Sequence, residues 1–326
     1  MTSNQTLTDK HIIEIIKKDK LVAAPLAGVT TPPFRKIVRK FFDGLIYTEM
    51  VSAEGLKRKV KATLDYIKIQ PIDRPIFIQV FGSNPDTIYE AIKICEDLAS
   101  PEGYDLNAGC PVKKVIKANA GSYLLKDLNN LTNIIKNMRK ATDKPISVKT
   151  RLGWDYNSLV YKEILNMCEN EGVDILTIHA RTKTEMFSGD IHFDALSELA
   201  TLKKNVTLIG NGNVVDKTSF DKMIETGVDA IMIGRAYMKA PWIFQAIKHN
   251  LDIHNFLTLK QKINILMELL TFEKSFRRNY IDFIRKYSVW FLKGYKGSTE
   301  LRKKIYKINT EQEIVKTLEE FLEQNS

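Results

Sequence analysis

The sequence predicts an α/β protein, a (β/α)8 TIM barrel followed by a C-terminal all-helical domain. Eight short, apolar, β-branched runs recur between residues 21 and 234, each followed by a longer stretch with helical periodicity. The runs are nearly continuous in apolar character, which suits parallel strands buried on both faces. Strand signals then stop, and everything from about residue 252 onward reads as helix.

Taken in order, the strand runs are LVAAPL (21–26), GLIYTE (44–49), PIFIQVF (75–81), YDLN (104–107), PISVKT (145–150), DILTIHA (174–180), VTLIGN (206–211) and DAIMIG (229–234). Between them, 86–99 sets Ile88, Ala91, Ile92 and Cys95 on one helical face, at i, i+3, i+4 and i+7. The segments 158–172 and 218–227 end in Gly172 and Gly227, the glycine that closes many helices. A doubly wound sheet is the rival architecture; eight units followed by none favour the barrel. The expected division is a catalytic barrel over 1–250 and a helical domain over 251–326.

Composition narrows the function. With 326 residues, 44% hydrophobic and 27% charged, the chain is neither fibrous, low-complexity nor disordered. No run of 18 apolar residues is present, so no membrane partner is expected. The first twenty residues mix acids and lysines into their apolar stretch, unlike a secretory leader. Cys95, Cys110 and Cys168 have no spacing suited to a disulfide framework or a metal site, which points to a reducing, cytoplasmic setting and no metal. Nothing requires more than a monomer.

Lys and Arg number 49 against 39 Asp and Glu, a net charge of +10. The excess is concentrated. Between Lys274 and Lys307 stand eleven cations, Arg285, Lys286, Lys293 and Lys296 among them, and only two acids, Asp282 and Glu300. Phe283, Tyr287, Trp290 and Phe291 share a helical face within the same stretch. Clustered cations interleaved with aromatics suit phosphate-bearing partners such as nucleic acid; a solvated helical face is the plainer reading.

In such barrels chemistry gathers where the strands end. Those ends carry Pro25, Leu26 and Ala27, then Glu49, Gln79, Asn107, Lys149 with Arg151, His179 with Arg181, Asn211-Gly212-Asn213, and Gly234-Arg235. The glycines after the last two strands let backbone N–H groups approach a phosphate. GNGNVV lacks the third glycine of a dinucleotide fingerprint, and Asp229 opens a strand when a ribose contact would have to close one, so a mononucleotide phosphate is preferred. Cys110, in the loop Asn107-Ala108-Gly109-Cys110-Pro111, can serve as nucleophile or general acid, whereas Cys95 and Cys168 sit on apolar helix faces. Lys113, Lys114 and Lys117 follow closely, suited to a phosphate backbone. Lys149 closing a buried strand points at an anion, or forms a Schiff base in an aldolase.

These residues resemble the tRNA-dihydrouridine synthases, most like the bacterial B type, from about Leu21 to Ile305. The resemblance rests on APLAGVTTPPFR (24–35), FIQVFGS (77–83), DLNAGCPVKKVIKANAGSYLL (105–125), VKTRLGW (148–154), TIHARTKTEMFSG (177–189), IGNGNV (209–214), MIGRAYMKAPWIF (232–244) and IRKYSVWFLKGYKGSTELR (284–302). It implies an FMN-binding barrel, NADPH as reductant and tRNA as partner, with the C5–C6 bond of a D-loop uridine reduced. Pro25, Leu26, Ala27, Gln79, Lys149, His179, Asn211, Gly212, Asn213, Gly234 and Arg235 match flavin contacts. Cys110 matches the general acid, and Asn107 a residue near the target uracil. Arg151, Arg181, Lys113, Lys114, Arg285, Lys286, Lys293 and Lys296 are the expected substrate contacts. The family's usual NGD reads Asn211-Gly212-Asn213 here, and its HGRT reads His179-Ala180-Arg181-Thr182. Small-molecule flavin oxidoreductases of the dihydroorotate dehydrogenase kind, and a non-catalytic RNA-binding barrel, are the alternatives.

Overall fold

A computed structural model describes residues 9–325; the first eight residues of the stretch read for a leader lie outside them. Two compact units result. One holds residues 9–32 together with Asp43–Gly234, the other Pro33–Phe42 with residues 235–325.

The first unit is the barrel. Its strands are β1 (Leu21–Ala23), β2 (Ile46–Tyr47), β3 (Val51–Ser52), β4 (Ile76–Phe81), β5 (Gly103–Ala108), β6 (Ile146–Arg151), β7 (Ile175–His179), β8 (Thr207–Asn211) and β9 (Ala230–Ile233). All pair in parallel, in the order β1-β9-β8-β7-β6-β5-β4-β2, with β3 also on β4. The Ala23 N–H donates to Leu45 O at 3.0 Å and draws β1 to the edge beside β2. Nine pieces thus make eight barrel strands, each at a predicted run except β3, which lies just beyond the run 44–49. The second strand is split because Thr48 interrupts its ladder: the Thr48 hydroxyl, not a carbonyl, accepts the Gln79 N–H at 3.2 Å. Pairing resumes at Val51 against Val80.

The helix Pro85–Leu98 buries Ile88, Ala91, Ile92 and Cys95, the face the periodicity predicts. Asp or Glu side chains staple the opposite end of the barrel from the predicted site: Glu102 accepts the Ile76 N–H, Asp174 the Ile146 N–H, and Asp229 the Leu208 N–H, each at 2.8 Å. Asp229 is thereby a structural cap, as its position before a strand implied.

One feature of the strands differs from their reading as apolar on both faces. Lys149 on β6 reaches Asn211 on β8 at 3.1 Å, passing β7, and Tyr47 on β2 faces Ser147 on β6 at 3.4 Å. Only side chains pointing into the barrel can meet this way. Alternation then puts Gln79, Asp105, Asn107, Ser147, Lys149, Thr177, His179 and Asn211 inside. The apolar residues that alternate with them, such as Ile78, Leu106, Val148 and Ile178, are fully buried and face outward under the helices. The long aliphatic outer set masks the polar inner one when the run is read as a whole.

In the second unit the main helices span Leu259–Phe276, Tyr280–Phe291, Ser298–Ile305 and Glu311–Glu323. Phe34 stacks on Tyr287 with ring centroids 5.4 Å apart, and Phe42 on Phe244 at 4.0 Å, which fixes the early segment 33–42 in this unit. Of the predicted aromatic face, Tyr287 and Phe291 are buried, while Phe283 is half-buried under the Arg277 guanidinium at 3.7 Å. Among the described residues no helix is long and apolar enough to cross a membrane, and no group of His, Cys, Asp and Glu could hold a metal.

Candidate active site

The loop after β5 is fixed at four points around Cys110. Asn107 Oδ1 accepts the N–H groups of Gly109 at 3.2 Å and Cys110 at 2.9 Å. The Ser122 N–H donates to Cys110 O at 3.1 Å. Arg151 Nε donates to Gly109 O at 2.9 Å. Gly121, at φ +62°, passes so close that a Cβ there would lie 2.8 Å from Cys110 O. The half-buried thiol therefore has a set position. Burial pushes its pKa up, partly offset by the Val112 N–H and the cations of Arg151 and Lys149, so it stays a thiol at neutral pH.

A directional hydrogen-bond chain supports this loop from inside the barrel. Gln79 Nε2 donates to Asp105 Oδ2 at 2.6 Å, Asn107 Nδ2 donates to Gln79 Oε1 at 3.0 Å, and Asn107 Oδ1 is left to face the Cys110 N–H. An ionised carboxylate can only accept. When ionised, Asp105 thus dictates which way the Gln79 amide points, Gln79 dictates Asn107, and Asn107 presents oxygen to the loop. Burial pushes Asp105 up to about 7, against the pull of Ser147, Gln79 and Lys149.

Cations line the next strand ends. Among the described residues Lys149 Nζ makes one hydrogen bond, to Asn211 Oδ1, leaving two donors for a carbonyl or an anion. Burial and the neighbouring Arg151 pull it down to about 8 despite Asp105 and Cys110. Asn211 is itself oriented by donating Nδ2 to Met232 O at 2.7 Å. Arg151, 2% exposed, spends its guanidinium on the carbonyls of Gly109, Thr182 and Met186. Arg181, equally buried, donates to Gly189 O at 2.5 Å and Asn213 Oδ1 at 3.3 Å. Its Nη1 lies 3.4 Å from His179 Nε2; a guanidinium only donates, so this imidazole nitrogen accepts and the ring proton belongs on Nδ1. Asn213 adopts φ +49°, a conformation Asn tolerates, and its amide oxygen takes the Arg181 donor that an acid would take.

Of the remaining expected positions, Gly212 is buried, with Ile191 Cδ1 2.4 Å from where a Cβ would stand, and the others are half-buried or exposed. Pro25 and Leu26 are half-buried, Ala27 exposed, and the Gly28 N–H donates to Glu49 Oε1 at 2.6 Å. Gly212 has φ +146°, and Gly234 is half-buried with only Asn211 Nδ2, at 4.0 Å, near where a Cβ would stand. Arg235, exposed, begins the second unit. Lys113 and Lys114 are exposed on the short helix Lys113–Lys117. In the second unit Lys286, Lys293 and Lys296 are exposed, but Arg285 is tied to Asp282 at 2.8 Å, to Asn309 Oδ1 at 2.7 Å and to Ile308 O.

The barrel thus gathers Gln79, Asn107, Cys110, Lys149, His179 and Asn211, and the match to known proteins follows that geometry. The model of the dihydrouridine synthase (Dus) family matches residues 21–326. The chain belongs to this family. It is 33% identical over 311 residues to a probable tRNA-dihydrouridine synthase of Aquifex aeolicus, covering 93% of this chain and 96% of that one. It is 32% identical to tRNA-dihydrouridine synthase B of Pseudomonas aeruginosa, covering 87% of each, and 30% identical to that of Escherichia coli K12, covering 94% and 97%. Family membership thus spans both units.

Sequence reasoning missed two residues of this constellation. Asp105 lies two before Asn107 on one strand, the spacing that puts both side chains on one face. Glu49 stood among the strand ends, yet nothing local marked it as the acceptor for Gly28.

Proposed function

We propose that the protein is a flavin-dependent tRNA-dihydrouridine synthase that reduces the C5–C6 bond of a D-loop uridine, with Cys110 as proton donor, FMN as cofactor and NADPH as reductant. One observation carries the reading: a thiol kept protonated by burial, on a loop fixed from four sides, at the mouth of a polar-lined barrel. The residues suit FMN. Two donors on Lys149 without a partner among the described residues, the Gln79 and Asn211 side chains, and accessible backbone at Ala27, Gly28 and Gly234 suit a planar polar ring carrying a phosphate.

When bound, FMN would supply the hydride chemistry for reduction of the uracil, with NADPH as the source of electrons. The protein's own contribution is position and proton. Cys110 Sγ–H gives its proton to C5, becomes thiolate, and is reprotonated from water. The Lys149 ammonium would hold negative charge on the bound cofactor, and its lowered pKa lets it respond to that charge. Asn107, oriented through Gln79 and Asp105, keeps the Cys110 loop in register. Arg151 and Arg181 hold the loops after β6 and β7 by their carbonyls. The exposed lysines of both units supply attraction for tRNA phosphates in a cytoplasmic, monomeric enzyme.

The purified protein's visible absorption and its released cofactor test the reading. A yellow protein that releases FMN and is reduced by NADPH is expected; a colourless protein that takes up no FMN on reconstitution contradicts it.

A further inference from the structure

Outside the reaction centre, the loops after β5, β6 and β7 bring together one aromatic ring and two cations. Lys126 Nζ lies 3.7 Å, and Lys183 Nζ 4.2 Å, from the centroid of the Trp154 ring. At most about 8 Å therefore separates the two ammonium groups. Neither has an acidic partner among the described residues. The nearby acids are occupied elsewhere: Asp127 caps Asn130 N, Asp155 bonds Asn157 N and Ser158 Oγ, and Glu185 holds Thr182 and His192.

The ring's position is built, not incidental. Trp154 and Thr184 are joined by a backbone hydrogen bond from Thr184 N to Trp154 O at 3.0 Å, and Lys183 N donates to Gly153 O at 2.9 Å. Gly153 is packed so tightly on the returning chain that a Cβ would fall 2.2 Å from Ser158 O. Trp154 is thus carried on a turn that permits only glycine before it, locked to the loop that carries Lys183. Cation–π attraction offsets the repulsion of two like charges near one ring, yet leaves both charges unneutralised.

We infer that Lys126, Trp154 and Lys183 form an RNA-backbone clamp: the two ammonium groups meet a phosphodiester and the indole edge packs against an adjoining ribose or base. Single strands are held by this combination of cation and aromatic platform, without sequence preference. The clamp shares the loop end of the barrel with Cys110, so it would hold the strand flanking the nucleotide drawn toward the thiol. This inference rests on the proposed tRNA activity and adds to it where the barrel itself grips the strand.

The test uses the full-length holoenzyme and unmodified tRNA, with affinity measured by fluorescence anisotropy across a salt series. The double variant Lys126→Gln/Lys183→Gln is expected to bind about tenfold more weakly and to lose about 1.5 from the salt slope. Its KM for tRNA rises, while reduction of its bound flavin by NADPH is unchanged. Lys126→Arg/Lys183→Arg restores both affinity and slope, and Trp154→Leu weakens binding with the slope kept. Wild-type affinity and slope in the double Gln variant overturn the clamp while leaving the activity standing. Failure of the wild-type holoenzyme to bind tRNA overturns the clamp together with the activity.

Discussion

The barrel and the C-terminal helices both carry clusters of cations, and they use them in opposite ways. Arg151 and Arg181 point into the barrel or its loops, and their donors go to carbonyls and to Asn213. A buried charge that is fully bonded positions its neighbours and has little left for a distant partner. Between Lys274 and Lys307 the pattern reverses. Lys274 is answered by Glu311, Lys304 by Glu320 and Arg285 by Asp282, but Arg278, Lys286, Lys293, Lys296, Arg302, Lys303 and Lys307 remain exposed without an ion pair among the described residues. Such charges cost little to keep in water and act at long range. The same residue type is therefore architecture in one region and attraction in the other.

Substitutions can break or sharpen that contrast. Cys110→Ala has the largest expected effect, a loss of uridine reduction of about 10²- to 10⁴-fold with flavin and tRNA affinity kept, because only proton delivery is removed. Wild-type turnover on unmodified tRNA would remove Cys110 from the mechanism. Arg151→Gln comes next: losing three carbonyl partners at once is expected to lower both kcat and Tm, with the tRNA salt slope unchanged, as an architectural cation requires. A change in slope would make it a phosphate contact.

Asp105→Asn separates activity from stability. Asn can donate as well as accept, so the sense of the Gln79–Asn107 chain is no longer enforced, and kcat is expected to fall about tenfold. Burial raises Asp105 from the usual carboxylate range to about 7, so its ionised form costs folded-state stability as pH rises from about 4 to 7. The Asn variant escapes that cost. Its Tm should exceed wild type by several degrees at pH 8 and match it near pH 4, by scanning calorimetry. An equal Tm difference at both pH values would mean that Asp105 does not titrate in this range.

The smallest effects belong to the exposed helices. Lys286→Gln/Lys293→Gln/Lys296→Gln should weaken tRNA binding severalfold and flatten its salt dependence, with Tm unchanged. Arg285→Gln, though only one residue from Lys286, should do the reverse: a Tm lower by about 2–4 °C, because Ile308 O and Asn309 lose their donor, and an unchanged slope.

How much of this the sequence reveals depends on the range of the interaction. The eight runs, the glycine stops at Gly172 and Gly227 and the Cys110 loop follow from local patterns, and all appear where those patterns put them. The polar interior did not, because its residues alternate with long aliphatic ones and pair across strands, as Lys149 does with Asn211. The placement of Pro33–Phe42 with the C-terminal helices depends on Phe34 meeting Tyr287, a contact no periodicity encodes. Arg285 and Lys286 look alike in sequence; only the backbone at Ile308 distinguishes them.

The central claim is that this chain adds two hydrogens across a uridine double bond in tRNA. Mass mapping of tRNA lacking dihydrouridine, after incubation with the holoenzyme and NADPH, tests it most directly. The expected result is the mass of two added hydrogens on a uridine of the D-loop, dependent on flavin and lost in Cys110→Ala. An unchanged uridine mass with a flavin-loaded, NADPH-reducible protein would contradict it.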